Sequence, residues 1–600
     1  MNLRKNKMLD SHLVGFVVSK ALDPAQIARR DKSLQQTLSH FPWLTNQKLE
    51  IGDTEIIFWG HPPLENCIHR TQNGDWLVLI GQPIDPISWT KIENALTEAT
   101  SPQDFDFPFD GRFVLLLIRF NGKHWFVWND WLGSILVFHT QMGSASIAST
   151  LESVVVDTVD YRSDRFCLPG IVSLLLNFVC VGNLTLFEGM TTLRADCMAA
   201  WTPQGFSLTQ KNTVKPSDER WHEGWDELID EMYELSRQAI LEVVKTQSSW
   251  TLPLSGGLDS RLIAAVGAEA GVDYQSFTYG NAHSRDVMFA RQVAEYLNIP
   301  WSRFEIPNDF LAQHNLMWAD WFGSSRDFHG LYQIDFLEYL RTTSLNSVLL
   351  GYVGDALAGA HLQSMSKLHK ENHPIAPYIT GSIWSLNEIR TLFKKPIDEA
   401  IQQVSTTLER EMKSIDGSWF QSLMMLDLRQ RQRLYISYQP IMYDYYLGVS
   451  TPFLNRAYAN FCLSLPRTVL EDRRLLKEMY RRYYPNLASI SGGCAKNEAM
   501  RMTDRYVMKR IIARKLPSKL RLGLFQEFAD APSAVNLGKV LKNSGDKSVP
   551  FSLKALHLLD SWFDCEKLRH LCKQSTTGQQ APYKKLSTLF PIAMRIAPFK

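Results

Sequence analysis

The sequence predicts an α/β plus β-rich fold, in which an N-terminal antiparallel sandwich is followed by a doubly wound parallel sheet and a helical C-terminal region. Up to about residue 210, short runs of β-branched and aromatic residues are bounded by Gly, Asp and Asn, which is typical of strands joined by tight turns. From about residue 221, apolar runs alternate with helix-like segments, which indicates parallel strands joined by helices. The polar stretch 214–218 lies between the two patterns and predicts one domain over residues 1–212 and another over residues 218–600.

The strands of the N-terminal domain are predicted from four runs and one turn. The dipeptide Asn121-Gly122 lies between the last two runs, and this pair favours a tight turn between antiparallel strands. It therefore predicts a hairpin. The four runs are Glu55–Trp59, Trp76–Ile80, Phe113–Ile118 and Trp125–Trp128.

The second domain is predicted from its alternating elements. Residues 221–244 and 286–297 have the apolar spacing of helices. Strands are predicted at Trp250–Leu254, Tyr274–Tyr279 and Ser347–Leu350. Ligands of such sheets bind outside the carboxyl ends of the strands, so we expect the site there. After about residue 382 the pattern is largely helical.

Composition narrows the class of protein. Hydrophobic residues make up 45% of the 600-residue chain, and 64 Lys and Arg stand against 62 Asp and Glu. So balanced a charge gives no reason to expect nucleic acid or a membrane surface as a partner. The longest apolar stretch, 171–181, is too short to span a bilayer, and the N-terminal residues lack a signal-peptide pattern. The eight cysteines lack metal-ligand spacing, so we expect reduced thiols in a cytoplasmic protein.

The most informative motif is a glycine-rich turn between a predicted strand and a predicted helix. Such a turn lets the backbone approach an anion closely, and the first N–H groups of the helix point at it. We therefore predict a phosphate-binding loop in which Asp259 holds Mg²⁺ rather than phosphate, because two anions repel each other. A Gly-Gly turn with a helix cap and no ligand is the alternative. The predicted loop residues are Ser255, Gly256, Gly257, Leu258, Asp259 and Ser260.

A second glycine-rich turn follows the predicted strand Ser347–Leu350. It contains Gly351, Gly354 and one acid, Asp355. A metal ion that bridges a triphosphate needs a second carboxylate, because one Asp neutralises and positions it poorly. We predict that Asp259 and Asp355 bind the metal together, while Gly351 and Gly354 shape the nucleotide site. A simple β–α turn is the alternative.

These motifs resemble those of the asparagine synthetase family. The 255–260 loop is similar to the SGGxDS loop of ATP pyrophosphatases, which split ATP between the α and β phosphates, and Pro452–Asn455 stands where that family has PFLD. In the N-terminal part, Asp110–Phe113, Asn129–Gly133 and Thr185–Gly189 look like a glutaminase-type domain. The resemblance spans the chain to about Lys496. It implies a degenerate glutamine amidotransferase-like domain and an adenylating ATP pyrophosphatase domain that uses ATP and Mg²⁺.

Two departures from the family pattern bear on the substrate. Glutamine-hydrolysing members carry a cysteine directly after the initiator Met, where this chain has Asn2, and Asn129–Trp131 lacks the cations of the glutamine-binding region. Ammonia from glutamine is therefore not the expected nucleophile. The chain is most similar to the macrolactam cyclases of lasso peptides, with β-lactam synthetase as a relative. That resemblance implies a precursor peptide as substrate, and a cysteine protease and a leader-peptide-recognition protein as partners.

The resemblance also nominates catalytic residues. Tyr352 and Asp427 stand where β-lactam-forming members have a Tyr–acid pair, and such a pair can take the proton of an attacking ammonium. In the alternative, Tyr352 is a packed aromatic and Asp427 pairs with Arg431. Lys496 lies near the family spacing of the cation that stabilises the transition state, with Lys477 as the second candidate.

Three functions follow. The first is an ATP-dependent ligase that adenylates an Asp or Glu side chain of a precursor peptide and closes a macrolactam with the N-terminal amine. The 17 Trp, 31 Phe and 20 Tyr residues could line a groove for such a peptide, although most belong to the core. The second is an asparagine synthetase-like or β-lactam synthetase-like amide synthetase for a small molecule or a surface polysaccharide. The third is a binding protein without turnover.

Overall fold

The fold consists of two β-sheets and the helices that cover them. The computed structural model describes residues 12–84, 88–322, 330–343, 345, 347–362, 384–490, 535–545, 556 and 559–596. Among these residues, no helix combines the length and the apolar character needed to cross a membrane.

The N-terminal part forms a sheet of twelve strands, of which nine follow the order β10-β8-β9-β1-β5-β6-β7-β11-β12. Of the other three, β3 pairs with β1, β2 pairs with β3, and β4 pairs with β5. The strands are β1 (His12–Lys20), β2 (Thr45–Ile51), β3 (Thr54–His61), β4 (Ile68–Arg70), β5 (Trp76–Pro83), β6 (Gly111–Arg119), β7 (His124–Asn129), β8 (Phe138–Met142), β9 (Ala145–Ser149), β10 (Met190–Thr192), β11 (Cys197–Thr202) and β12 (Gly205–Gln210).

The expected antiparallel sandwich is one continuous, curled and mixed sheet. Strand β1 joins its two halves, because it pairs antiparallel with β3 and β9 and meets β5 in a parallel pair at Leu13 and Ile80. The register of β1 shifts between Leu13 and Gly15, and such a bulge bends a strand. Phe16 and Phe58 from one half share a buried cluster with Leu116 from the other. The curl thus lets a single sheet enclose a core.

The four predicted strand runs lie in β3, β5, β6 and β7, and the Asn121-Gly122 hairpin joins β6 to β7. Asn121 and Gly122 both have positive φ, 52° and 83°, which is the backbone that this dipeptide favours.

The second sheet is wholly parallel and has the strand order β15-β14-β13-β16-β17. Its three predicted strands are β13, β14 and β16. The short edge strands β15 and β17 were not predicted. The strands are β13 (Ser249–Pro253), β14 (Asp273–Tyr279), β15 (Trp301–Phe304), β16 (Ser347–Leu349) and β17 (Gly448–Ser450).

The helices that lie between the strands of the N-terminal part in the chain are α1 (Pro24–Leu38), α2 (Trp89–Glu98), α3 (Glu152–Val159) and α4 (Leu168–Asn177). The helices of the predicted second domain up to the second glycine-rich turn are α5 (Trp225–Val244), α6 (Asp259–Glu269), α7 (Arg285–Leu297), α8 (Phe310–Phe322), α9 (Ile334–Arg341) and α10 (Gly354–Leu357), the last of which lies within that turn.

The rest of the described chain is largely helical, as predicted. It includes a π-helical segment at Asp427–Ile436 and a 3₁₀ turn at Glu471–Arg473. The α-helices are α11 (Leu386–Leu392), α12 (Asp398–Lys413), α13 (Trp419–Leu426), α14 (Tyr438–Tyr446), α15 (Arg456–Leu463), α16 (Arg467–Leu470), α17 (Arg474–Tyr483), α18 (Pro485–Ser489), α19 (Leu537–Ser544), α20 (Cys565–Thr576), α21 (Gln580–Ser587) and α22 (Phe590–Ile596).

Buried polar contacts join the N-terminal sheet to the helical elements beside the parallel sheet. Arg112 of β6 donates from Nη1 to Asp444 Oδ2 of α14 at 2.6 Å, and both side chains are at most 2% exposed. Burial alone would raise the pKa of Asp444, but the charges of Arg112 and His12 lower it. Trp131 donates from Nε1 to the carbonyl of Leu454 at 2.8 Å. The N-terminal sheet is thereby held against the helices beside the parallel sheet.

Candidate active site at the edge of the parallel sheet

A cavity of about 690 Å³ lies at the carboxyl ends of the parallel strands. Residues at the ends of β13, β14 and β16 line it, as the fold predicts. The chain runs from β13 outward to β14 and β15, whereas β16 and β17 lie on the other side of β13. The cavity therefore opens at the point where the winding of the sheet reverses, which is where open α/β sheets bind ligands.

The predicted phosphate loop connects β13 to α6, and Asp259 is the first residue of that helix. The Gly257 N–H donates to Ser255 Oγ at 3.1 Å, and the Gly256 N–H donates to Asp286 Oδ1 at 3.2 Å. Neither glycine has a positive φ. Space is short at Gly256, since a Cβ there would come within 3.2 Å of Phe289.

Two buried residues hold this loop from behind. The Arg261 guanidinium donates to the carbonyls of Gly256, Leu487 and Ile490 at 3.2, 3.0 and 2.9 Å. The Tyr480 hydroxyl donates to the carbonyl of Leu258 at 2.7 Å. The loop is therefore fixed in place by the helices α17 and α18.

The structure brings Asp259 and Asp355 together, although 96 residues separate them in the chain. The backbone N–H of Asp355 donates to Asp259 Oδ2 at 2.7 Å. A Cβ on Gly351 would lie 2.6 Å from Asp259 Cβ, and one on Gly354 would lie 3.0 Å from Asp259 Cγ. The glycines of the second turn are needed because the first aspartate passes so close to them.

The pair of aspartates suits a divalent cation. Burial, and then the negative charge of Asp355, raise the pKa of Asp259 well above its usual value. A Mg²⁺ ion would remove that repulsion, and carboxylate oxygens are the ligands that it prefers in proteins. The donor set at this edge of the sheet thus fits the predicted metal.

Arg473 is a residue of this site that sequence reasoning missed. Its Nη1 lies 2.7 Å from Asp355 Oδ1, its side chain is buried and it lines the cavity. Its backbone is left-handed, with φ at 56°, as is that of the preceding Asp472 at 63°. A run of charged residues at 471–474 was the only signal in the sequence, and such runs are ordinary on helix surfaces.

Tyr352 lines the cavity, whereas Asp427 is buried, and both residues contact Gln432. The Tyr352 hydroxyl donates to the Gln432 carbonyl at 2.7 Å, and the Gln432 side chain donates to Asp427 Oδ2 at 3.1 Å. Val353, which follows the tyrosine, has φ at 64°, a strained backbone for a β-branched residue.

A histidine that the sequence did not reveal completes this group. His361 Nδ1 lies 3.1 Å from Asp427 Oδ2, and Arg431 Nη1 lies 3.1 Å from His361 Nε2. Burial would raise the pKa of Asp427, but His361, by its charge and its hydrogen bond, and then Arg431 lower it. His361 and Arg431 both line the cavity. Asp427 and His361 thus form a carboxylate–imidazole pair in which the histidine faces the cavity and the carboxylate is buried.

Of the two lysine candidates, the structure describes only Lys477. Lys496 lies outside the described residues. Lys477 is 7% exposed and its Nζ lies 3.0 Å from Asp472 Oδ2, beside Arg473. Burial lowers the pKa of Lys477.

In the N-terminal sheet, the segment that resembles the glutamine-binding region has a structural role. Asp130 is buried, and its carboxylate accepts hydrogen bonds from the N–H groups of Phe113, Leu132 and Ser134. Asn129 accepts from the Cys197 N–H and donates to the carbonyl of Arg194. These side chains hold loops together.

One comparison with known proteins, with family models, agrees with the chemistry of the parallel-sheet site. A family model described as asparagine synthase matches residues 231–594, more than half of the chain. No curated protein matches the chain.

Among solved structures, one similar chain is a glutamine phosphoribosylpyrophosphate amidotransferase from B. subtilis complexed with ADP and GMP, at 10% identity over 49% of this chain and 91% of that one, with a TM-score of 0.22. Another, described as the allosteric regulatory enzyme of purine biosynthesis, has 11% identity over 44% of this chain and 66% of that one, again with a TM-score of 0.22. Scores this low carry no argument about fold or activity.

The family model covers the phosphate loop, the second glycine-rich turn and Arg473, which are the elements that converge on the cavity. The chain belongs to the asparagine synthase family, and it is an ATP-dependent carbon–nitrogen ligase.

Proposed function

We propose that the protein adenylates a side-chain carboxylate of a precursor peptide with ATP, and that the N-terminal amine of the same peptide displaces AMP to close a macrolactam ring. The main supporting observation is that the paired aspartates and His361, which forms a pair with the buried Asp427, line one cavity. The first pair suits the activation of a carboxylate, and the second suits the deprotonation of an amine. The predicted domains, 1–212 and 218–600, remain part of this proposal.

In the first half-reaction, this chain binds the triphosphate and holds its charge. The loop 255–260 offers hydroxyls and the N-terminus of α6 to the pyrophosphate. Arg473 adds a cation on the same side of the cavity. A Mg²⁺ ion held by Asp259 and Asp355 would neutralise the phosphate oxygens as pyrophosphate leaves.

In the second half-reaction, His361 accepts a proton from the attacking ammonium. Asp427 accepts a hydrogen bond from the Nδ1–H of His361, which directs Nε2 toward the substrate and stabilises the imidazolium that forms. Arg431 is within hydrogen-bond distance of that Nε2, so the incoming ammonium must displace it. Tyr352, bonded to Gln432, lies beside the pair and can orient the amine.

A peptide substrate is favoured by the size and lining of the cavity. Its volume of about 690 Å³ is in the upper part of the range for ligand sites. Aromatic side chains of Phe277, Tyr279 and Tyr332 line it beyond the aspartates, and such rings bind peptide groups and apolar side chains well. A cysteine protease and a leader-peptide-recognition protein are the partners that we propose for the same reaction.

The proposal is tested by incubating the protein with ATP, Mg²⁺ and a synthetic peptide that has an N-terminal Gly and an internal Asp or Glu. The expected products are AMP, pyrophosphate and a peptide lighter by one water. The Asp259→Asn variant serves as the inactive control. Release of ADP contradicts the adenylation mechanism, and AMP release with a small amino acid but with no peptide favours the small-molecule synthetase.

The proton-transfer role is tested separately with His361→Gln. We expect ring closure to slow by about 100-fold or more, while substrate-dependent exchange of pyrophosphate into ATP is kept. His283→Gln is a matched control, because His283 is an exposed histidine near the same sheet edge. Equal loss of both half-reactions in His361→Gln, with His283→Gln normal, would assign His361 to binding instead.

A further inference from the structure

Outside the active cavity, a histidine and two carboxylates converge between two helices. His314 lies on α8, and Asp335 and Glu338 lie on α9. One ligand atom from each lies within 4.8 Å of the other two. Residues three apart on a helix share a face, so both carboxylates of α9 are directed to the same side.

The polar atoms of this group have few partners of their own. His314 is 8% exposed, and its Nε2 makes no hydrogen bond, although it lies 3.1 Å from Asp335 Oδ1. Asp335 Oδ2 and the buried Tyr446 hydroxyl also make no hydrogen bond within the described structure. A buried polar atom without a partner costs free energy. A group at the centre of the cluster would give these atoms a partner.

Charge points to a cation. Asp335 and Glu338 place two carboxylates beside one imidazole, with the three ligand atoms within 4.8 Å of one another. A dication would offset the negative charge of the carboxylates, and it would give His314 Nε2 and Asp335 Oδ2 a partner.

We propose that His314, Asp335 and Glu338 form a binding site for a divalent first-row transition-metal ion such as Zn²⁺. One imidazole nitrogen and two carboxylate oxygens are a ligand set that such ions accept, with water in the remaining position. Glu338 is exposed, which provides a path for the ion from solvent. Mg²⁺ is disfavoured because it prefers oxygen ligands alone.

The site would fix one wall of the active cavity. Helix α9 directly follows the 3₁₀ turn Leu331–Gln333, and Tyr332 of that turn lines the cavity. The neighbouring Gln333 lies 3.3 Å from the Tyr438 hydroxyl. An ion that ties α9 to α8 therefore positions Tyr332, so the role is structural and the metal takes no part in the chemistry.

The test is to strip the full-length protein with a chelator, dialyse it against buffer with low micromolar Zn²⁺, and measure bound zinc by mass spectrometry and melting temperature by fluorescence. We expect one tightly bound Zn²⁺ per chain and a rise in melting temperature with Zn²⁺. Glu338→Gln and Asp335→Asn should weaken binding by about 100-fold, since each removes a ligand. Both changes keep the side-chain shape, and circular dichroism of the metal-free variants verifies folding.

Two control variants separate this site from others. Glu93→Gln alters a histidine–carboxylate pair in the N-terminal sheet, His69 with Glu93 at 3.0 Å, and it should keep the zinc. Asp355→Asn alters the active cavity and should also keep it. The proposal is overturned if the wild type retains no zinc, or if Glu338→Gln and Asp335→Asn retain as much as the wild type. Neither result depends on catalytic activity.

Discussion

The twelve-stranded sheet and the five-stranded sheet differ in how they hold their charged groups. Beside the first sheet, Arg112 is paired with Asp444, and Asp130 accepts backbone hydrogen bonds. The cavity near that ion pair measures about 30 Å³, enough for one or two water molecules. At the edge of the second sheet, two aspartates face each other beside a cavity of about 690 Å³.

The difference separates structural charge from functional charge. A buried ion pair that is satisfied within the protein has nothing left to offer a ligand. The Asp259 carboxylate is buried beside a second carboxylate and next to open space, and perturbed groups of this kind are concentrated at active sites. We therefore expect substitutions at the second sheet to affect catalysis and those at the first sheet to affect stability.

The largest effect is expected for Asp355→Asn. Losing one of two metal ligands should lower the rate of pyrophosphate exchange into ATP by about 100- to 1,000-fold, by analogy with the removal of other groups that stabilise transition-state charge. Asp75→Asn, which alters an ion pair with Arg119 on the N-terminal sheet, should leave the rate unchanged. An Asp355→Asn rate within threefold of the wild type would contradict the metal assignment.

Arg112→Met should show the opposite behaviour. It leaves Asp444 charged and buried without its main cation, which costs about 3–5 kcal/mol of unfolding free energy, measurable by urea denaturation. Arg119→Met is the control, because that partly exposed ion pair contributes less than about 1 kcal/mol. Loss of exchange activity in Arg112→Met without loss of stability would contradict the structural role that we assign to charges beside the first sheet.

Arg473→Gln should mainly weaken nucleotide binding. A cation on the phosphate side of the cavity contributes charge-assisted hydrogen bonds, so we expect KM for ATP to rise by about 10- to 100-fold. The adjacent Arg474 donates to the carbonyl of Thr468 and does not line the cavity. Arg474→Gln is therefore a close control, and equal effects of the two substitutions would remove Arg473 from the site.

The smallest effect is a gain in stability in Asp259→Asn without Mg²⁺ or nucleotide. The folded state raises the pKa of Asp259, so wild-type folding loses stability as pH rises from the unfolded pKa near 4 through the higher folded pKa. The variant does not lose this stability, because Asn does not ionise. Its melting temperature should exceed that of the wild type by about 2 °C at neutral pH, and the difference should be smaller near pH 4. A higher melting temperature for the wild type at pH 7 would contradict the repulsion between Asp259 and Asp355.

Much of the catalytic half was predictable, because its signals are local. The order of strand, glycine-rich turn and acid identified both the 255–260 loop and the turn at Gly351. The helix limits were close as well, with 286–297 expected and Arg285–Leu297 found. The structure adds a packing reason for Gly256, because a Cβ there would come within 3.2 Å of Phe289. The predicted sandwich was too simple, because the pairing of β1 with strands of both halves leaves no pattern in the sequence.

The sequence by itself determined which segments could carry phosphate and metal chemistry, since backbone geometry at a strand end depends on neighbouring residues. Only the tertiary structure decided which side chains meet there. Arg473 reaches Asp355 across 118 residues, and His361 reaches Asp427 across 66. Such contacts depend on how whole helices pack, and an isolated Arg or His in a sequence has no local feature that distinguishes it.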